Sequence, residues 1–482
     1  MSQDPTAHYT ATERPSLHVF PASDPAGAVL FRIDRMQQVI CSPRGAERAR
    51  AVLSGAEGAE ALPAEIRDFL TGEEATASFE GDQADGPDYS QTLYLMPTLE
   101  CQLQCTYCRI TREQGRQVGQ RLSPETACAA IDRVFSQPTR GARRTVVFFG
   151  GEPLLARDTV FAAVAHVRSG PERDRTNLVI QTNAIALDTE AADFLAKHDV
   201  FVLLSLDTTQ EVHDRHRVFA DGTGSYQASV AGYRRARAAG CRLGVSATLT
   251  QQTADVFSSA FRQMLDELKP DECGVGTHLH PLSTGRSPHQ ASPAEAARVL
   301  TETFVEARRR GIYHVQMCQR LGPVVTGAWR RYACAGCSGK VVVAPNGEAG
   351  ICEYNAGNGR SYVPLEEFSP ETVADMMRWA SRSPLGAPEC ARCSALPTCG
   401  GGCAYDSQEI MGDALKFDPW LCDTNVRVIA WAMHDLLTQL QPRLRDRDFH
   451  LVTPEERALL LGPIDLVRFR TPTPAAPGRD EG

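Results

Sequence analysis

Six short apolar, β-branched runs recur along the middle of the chain: TLYLMPT (92–98), TVVFFG (145–150), NLVIQTN (177–183), VFVLLSLD (200–207), RLGVSATLT (242–250) and ECGVGTHLHP (272–281). Between them lie stretches whose apolar positions follow helical spacing, such as SPETACAAIDRVFS and DTEAADFLAKH. Strands alternating with helices at this interval predict βα units and a parallel sheet, an α/β fold. Six such units fit an open barrel or a doubly wound sheet, and the pattern alone does not choose.

Other patterns flank this rhythm. Upstream, GAVLFRID and QQVICS read as strands, and ARAVLSG and EIRDFLTG as short helices, making a small unit from about Ser16 to Phe79. Residues 1–15 are polar and expected to be loose, and the polar stretch EGDQADGPDYS (80–90) marks a boundary. Downstream, Ser292, Pro293 and Glu295 form a capping box that opens a long helix, which Gly311 can end. After Tyr332 the chain turns rich in Gly, Pro and Cys, as expected of a small domain held by metal. VRVIAWAMHDLL (426–437) reads as helix, and the tail from Thr471 as disordered. The expected division is 1–85, 86–330, 331–425 and 426–482.

Composition narrows the class. With 482 residues, 42% apolar and 23% charged, the chain can bury a sizeable core in two or three domains. A net charge of −9 without a Lys/Arg stripe argues against a nucleic-acid partner. No run is long enough to span a membrane and residues 1–30 show no signal-peptide pattern, so a cytoplasmic protein is expected. The 16 cysteines are clustered. In a reducing compartment, clustered thiols bind metal more often than they form disulfides.

The first cluster is CQLQCTYC, with Cys101, Cys105 and Cys108 directly after the first run of the βα series. That places three soft thiolates at the carboxyl edge, where such folds carry their chemistry. Three thiolates can hold three irons of a [4Fe–4S] cube and leave the fourth iron open. The Cx3CxYC pattern resembles the radical S-adenosylmethionine (SAM) superfamily. The resemblance implies that the open iron chelates SAM, whose reductive cleavage releases a 5′-deoxyadenosyl radical, with Tyr107 near the adenine. The GGEP turn (Gly150, Gly151, Glu152, Pro153) resembles the family loop that holds the SAM amino group. IQTNA, with Gln181 and Asn183, resembles QTNG but carries Ala184 for Gly. LSLDTTQEVHDRHR resembles SLDG…HD..R, with Thr208 for Gly. There Ser205 would touch SAM, Asp207 would line the pocket, and Arg217 would clamp a carboxylate, with His213 and Asp214 between them.

The last third adds Cys334, Cys337, Cys352, Cys390, Cys393, Cys399, Cys403 and Cys422. Cx2Cx5Cx3C followed by a lone cysteine resembles the SPASM extension of radical SAM enzymes. That resemblance implies two auxiliary [4Fe–4S] clusters with interleaved ligands. Cys334, Cys337, Cys352 and Cys403 would hold one, and Cys390, Cys393, Cys399 and Cys422 the other, giving three clusters in all. A pair of structural zinc sites is the bland alternative. Cys41, Cys128, Cys241, Cys273 and Cys318 are left without a role. Glu353, next to Cys352, sits where sulfatase-maturing members carry a proton-accepting Asp, so it is a candidate base and equally a surface carboxylate. His278 and His280 alternate along HLHPLSTGR, so one of them can face the pocket.

The expected architecture is a partial (β/α)6 barrel with a small N-terminal domain and a SPASM domain. The expected activity is hydrogen-atom abstraction from a ribosomally made precursor peptide or a protein, with side-chain crosslinking as the commonest outcome. Residues 16–79 could grip the leader peptide, and a flavodoxin or ferredoxin is the expected reductant. The competing expectations are a sulfatase maturase forming formylglycine, a small-molecule dehydrogenase or epimerase, and a non-catalytic iron–sulfur or zinc scaffold.

Overall fold

The N-terminal runs pair as an antiparallel sheet of β1 (Thr10–Ala11), β2 (Leu17–Pro21), β3 (Ala28–Arg32) and β4 (Gln37–Cys41). The computed structural model describes residues 10–11, 16–21, 27–73, 88–112, 115–141, 143–281 and 285–464. Most of the 80–90 stretch and the tail from 471 lie outside the described residues. Both faces of the N-terminal sheet are buried, which is why AVLF reads as a continuous apolar run. Leu17, Val19, Ala28, Leu30 and Val39 pack against the helices Pro43–Leu53 and Ala64–Thr71. Phe20, Val29, Phe31 and Ile40 point the other way and join the main core.

The six central runs form β5 (Thr92–Leu95), β6 (Arg144–Phe148), β7 (Thr176–Thr182), β8 (Val200–Ser205), β9 (Leu243–Thr248) and β10 (Glu272–Gly276). They lie side by side in chain order and all parallel, with helices in the crossovers. This is the six-unit parallel α/β sheet that the pattern predicted. Parallel strands place all their carboxyl ends on one edge, so residues 96–108, 149–153, 183, 207 and 277–281 emerge together.

Beyond β10, the helix Pro293–Arg309 opens with the expected box, in which Ser292 Oγ accepts the Glu295 amide and Glu295 accepts the Ser292 amide. It is followed by β11 (Tyr313–His314), parallel to β10. The Cys-rich segment is joined to the central sheet. Its strand β12 (Lys340–Val343) pairs parallel with β5 and prolongs the central sheet, followed antiparallel by β13 (Glu348–Gly350) and β14 (Val363–Pro364). The last long helix runs from Pro419 to Leu440, starting seven residues earlier than its apolar pattern suggested, because Asp418 caps it. The chain then returns to the N-terminal sheet, where β15 (Phe449–Leu451) pairs antiparallel with β4. Among the described residues, no helix is long and apolar enough to cross a membrane.

Candidate active site

The loop after β5 is pinned from two sides. The Gly151 amide donates to Thr98 O at 3.0 Å and the Glu152 amide to Glu100 O at 2.8 Å. Gly151 has no substitute here, since a Cβ would stand 2.2 Å from Glu100 O. From the other side, the Gln104 and Thr106 amides donate to Val218 O and His216 O. Cys101, Cys105 and Cys108 thereby face one cavity of about 260 Å3, shared with Tyr107, Gly150, Gly151, Gln181, Asn183, Ser205 and Arg217. Asn183 Nδ2 donates to Cys101 Sγ at 3.6 Å. Burial pushes the Cys101 and Cys105 thiols up to about 12, so thiolates there require a cation among them. The three thiols therefore fit an iron–sulfur cluster.

Two expected contacts stand behind the cavity wall. Asp207 does not line it. Its Oδ1 accepts the Thr248 amide at 2.8 Å, and Oδ2 takes the Tyr107 hydroxyl and lies 3.0 Å from Arg217 Nε. Burial opposes the Arg217 charge, but Asp207 outweighs it and keeps the guanidinium protonated. Arg217 itself reaches the cavity. Glu152 is likewise buried, and its carboxylate accepts from Leu154 N, Thr182 Oγ1 and Asn183 N at 3.1, 2.7 and 2.8 Å. Burial pushes it up to about 6. It organises the turn, and Pro153 begins the short helical turn beyond it. Ala184 and Thr208, which stand where the resembling motifs have glycine, adopt φ of 60° and 66°. The backbone has kept the left-handed turns and carries side chains there.

All sixteen cysteines carry free thiols. Cys390, Cys393, Cys399 and Cys422 line one small apolar cavity. Asn425 Nδ2 donates to Cys399 Sγ at 3.3 Å, and Arg320 Nε holds Asn425 Oδ1 at 2.9 Å. Cys334 and Cys337 are hydrogen-bonded, and Cys352 and Cys403 lie close enough to Cys334 to feel its charge. The interleaved chain order thus becomes two spatial quartets of soft donors, each fitting one further cluster.

Glu353 is outside the cavity lining and is ion-paired with Lys340, both side chains being nearly buried. Burial would raise the Glu353 carboxyl, but the Lys340 charge outweighs it and holds the group below its usual value. The cavity wall on that side is His278, His280 and Tyr354. Both imidazoles, rather than one, engage the buried Asp406. Sequence reading missed Asp406, Lys340 and His216. His216 joins Thr106 Oγ1 at 2.7 Å to Thr250 Oγ1 at 3.0 Å and so braces the cysteine loop from β9. Its place beside Arg217 in HDRHR was the available signal.

The thiol trio thus stands over a glycine turn at the carboxyl edge of six parallel βα units, a donor set that suits an iron–sulfur cluster with one iron left open. Residues 95–255 match the model of the Radical SAM superfamily, and the chain is similar to enzymes of that superfamily. It is 21% identical over 359 residues to the radical SAM cyclopropyl synthase TigE of Paramaledivibacter caminithermalis, covering 69% of this chain and 72% of that protein. It is 22% identical over 372 residues to the serine-type anaerobic sulfatase-maturating enzyme of Klebsiella aerogenes, covering 72% and 85%. Its fold is similar to that of Streptococcus suis SuiB bound to the precursor peptide SuiA, with a TM-score of 0.52, 14% identity, and 86% and 100% of the two chains covered.

Proposed function

We propose that this enzyme modifies a ribosomally made precursor peptide, most simply by forming a side-chain crosslink, with one SAM-binding and two auxiliary [4Fe–4S] clusters. The observation that carries this reading is the grouping of eleven cysteines into a trio at the SAM cavity and two quartets in the Cys-rich part. Likeness to SuiB, solved with its precursor peptide, supports a peptide substrate. When bound, SAM and the reduced cluster supply the radical that takes a hydrogen atom from the substrate. The chain's own residues bind and orient: Asn183 and the Gly150–Gly151 turn border the thiol trio, and Tyr107 is fixed by Asp207. Arg217 offers a charge-assisted hydrogen bond to a carboxylate. Clusters held by the two quartets would accept the electron released on oxidation of the substrate, and a flavodoxin or ferredoxin would supply the reducing electron to the first.

Iron and sulfide per chain, with 5′-deoxyadenosine formation, test the site anaerobically. We expect about twelve irons, falling to about eight in the Cys101/Cys105/Cys108→Ala variant with all SAM cleavage lost. About four irons with zinc present would remove the auxiliary clusters. Mass spectrometry of a co-expressed peptide then tests the product. Likeness to the Klebsiella enzyme favours formylglycine as the second reading. Fragmentation separates the two, because a crosslink and formylglycine made from serine each lose two hydrogens but at different places, whereas formylglycine made from cysteine also exchanges sulfur for oxygen.

The N-terminal unit is proposed as the grip for the leader through strand addition. Among the described residues the sheet ends in β1 on one side and in the three-residue β15 on the other, and β1 is the edge proposed for the leader. Added leader peptide should slow hydrogen exchange in β1 and β2, and absence of protection anywhere in residues 10–73 would overturn the assignment.

A further inference from the structure

The HLH run after β10 brings two imidazoles onto one carboxylate of the Cys-rich part. His278 Nε2 meets Oδ2 of Asp406, and His280 Nδ1 lies 2.8 Å from Oδ1. The three ligand atoms lie within 4.8 Å of one another. Both residues lie in the segment that leaves the carboxyl end of β10, and their rings reach the two oxygens of the same carboxylate. The Asp406 side chain is 1% exposed, on the helix Ala404–Met411, and a carboxylate so placed needs a counter-charge. One imidazolium would supply it. Two imidazoles and a carboxylate converging from separate elements are instead the donor set of a d-block divalent ion. The rings are held from behind, His278 against Trp420 at 5.5 Å and His280 against Tyr354 at 3.8 Å between centroids. Both imidazoles also border the cavity that the first three cysteines face.

We propose that His278, His280 and Asp406 form a binding site for one zinc-type divalent ion, with its open coordination position turned to the cavity. Three protein ligands leave a tetrahedral ion one place for water or a substrate donor. On the peptide reading above, that donor is an oxygen or sulfur of the peptide. Metal binding itself does not depend on that reading, and the test measures binding alone.

Anaerobically reconstituted holoenzyme, stripped of loose metal on a chelating resin and dialysed against zinc sulfate, is assayed for zinc, iron and sulfide per chain. The wild type should hold about one zinc per chain, and the His278→Ala/His280→Ala variant should lose it with iron and sulfide unchanged. Asp406→Asn, which keeps the side-chain shape, should weaken zinc about tenfold or more in competition with a chromophoric chelator. A wild type that takes up no zinc, or a double variant that keeps it, would leave these residues as a hydrogen-bonded cluster and overturn the proposal. If the double variant also loses iron, Asp406→Asn decides, and an unchanged zinc affinity there overturns it.

Discussion

Lys340 and Glu353 meet with 6% and 13% of their side chains exposed, beside Cys352 and beneath Tyr94. Removing one partner of a buried pair leaves an uncompensated charge and typically costs about 3–5 kcal/mol. Lys340→Met should therefore lie in that range. Glu353→Gln should cost less, about 2–3 kcal/mol, because a buried lysine can shed its proton. Replacing both together removes the two desolvation penalties along with the attraction, so the double variant should lie within about 2 kcal/mol of wild type. The coupling is then about 3 kcal/mol or more. Lys340 opens β12, so the readout is native-state hydrogen exchange of the β12 amides, which are bonded into the central sheet against β5. SAM cleavage and peptide product are followed in the same preparations. Additive single effects would refute the ion-pair argument. A Glu353→Gln variant with wild-type exchange and SAM cleavage but no product would instead make Glu353 the base that its position beside Cys352 suggests.

Three further outcomes follow from the geometry. Gly151→Ala puts a methyl group 2.2 Å from Glu100 O and 2.5 Å from Leu99 C, so the cysteine loop must shift; SAM affinity by equilibrium dialysis should fall at least about tenfold, and an unchanged affinity would contradict this. Thr208→Gly relieves a left-handed residue whose hydroxyl is buried without a hydrogen bond among the described residues. The relief of roughly 1–2 kcal/mol exceeds the entropy cost of glycine, so a higher Tm is expected, by about 1 kcal/mol of stability. His314 is lowered from 6.5 to about 3 by burial, so its neutral form is the folded one. Its contribution is complete above pH 6.5 and is lost as pH falls towards 3, up to about 5 kcal/mol. His314→Asn keeps an acceptor for the helix that His314 caps at Met317, and should flatten the acid limb. The difference in Tm from wild type at each pH cancels the acid lability common to both.

The sequence by itself determined the features that depend on local spacing. Cx3CxYC, GGEP and the six β-branched runs were legible because a strand, a tight turn and a short ligand loop each use neighbouring residues. Ser292 and Glu295 likewise announced a helix start. The interleaved quartets were legible only through resemblance, since chain order sets Cys399 beside Cys403 while the fold assigns them to different groups. What the tertiary structure decided depends on distant segments meeting. The strand β15 is three residues long, and FHL carries no periodic signal until β4 supplies its hydrogen-bond partners. β12 reads as one more apolar run until its pairing with β5 makes the Cys-rich segment part of the central sheet. Glu353 looks like a free carboxylate until Lys340, thirteen residues away, reaches it, and Asp406 gains meaning only from two imidazoles more than 120 positions earlier. Buried charge selects its partner through space, because only desolvated proximity repays the loss of water.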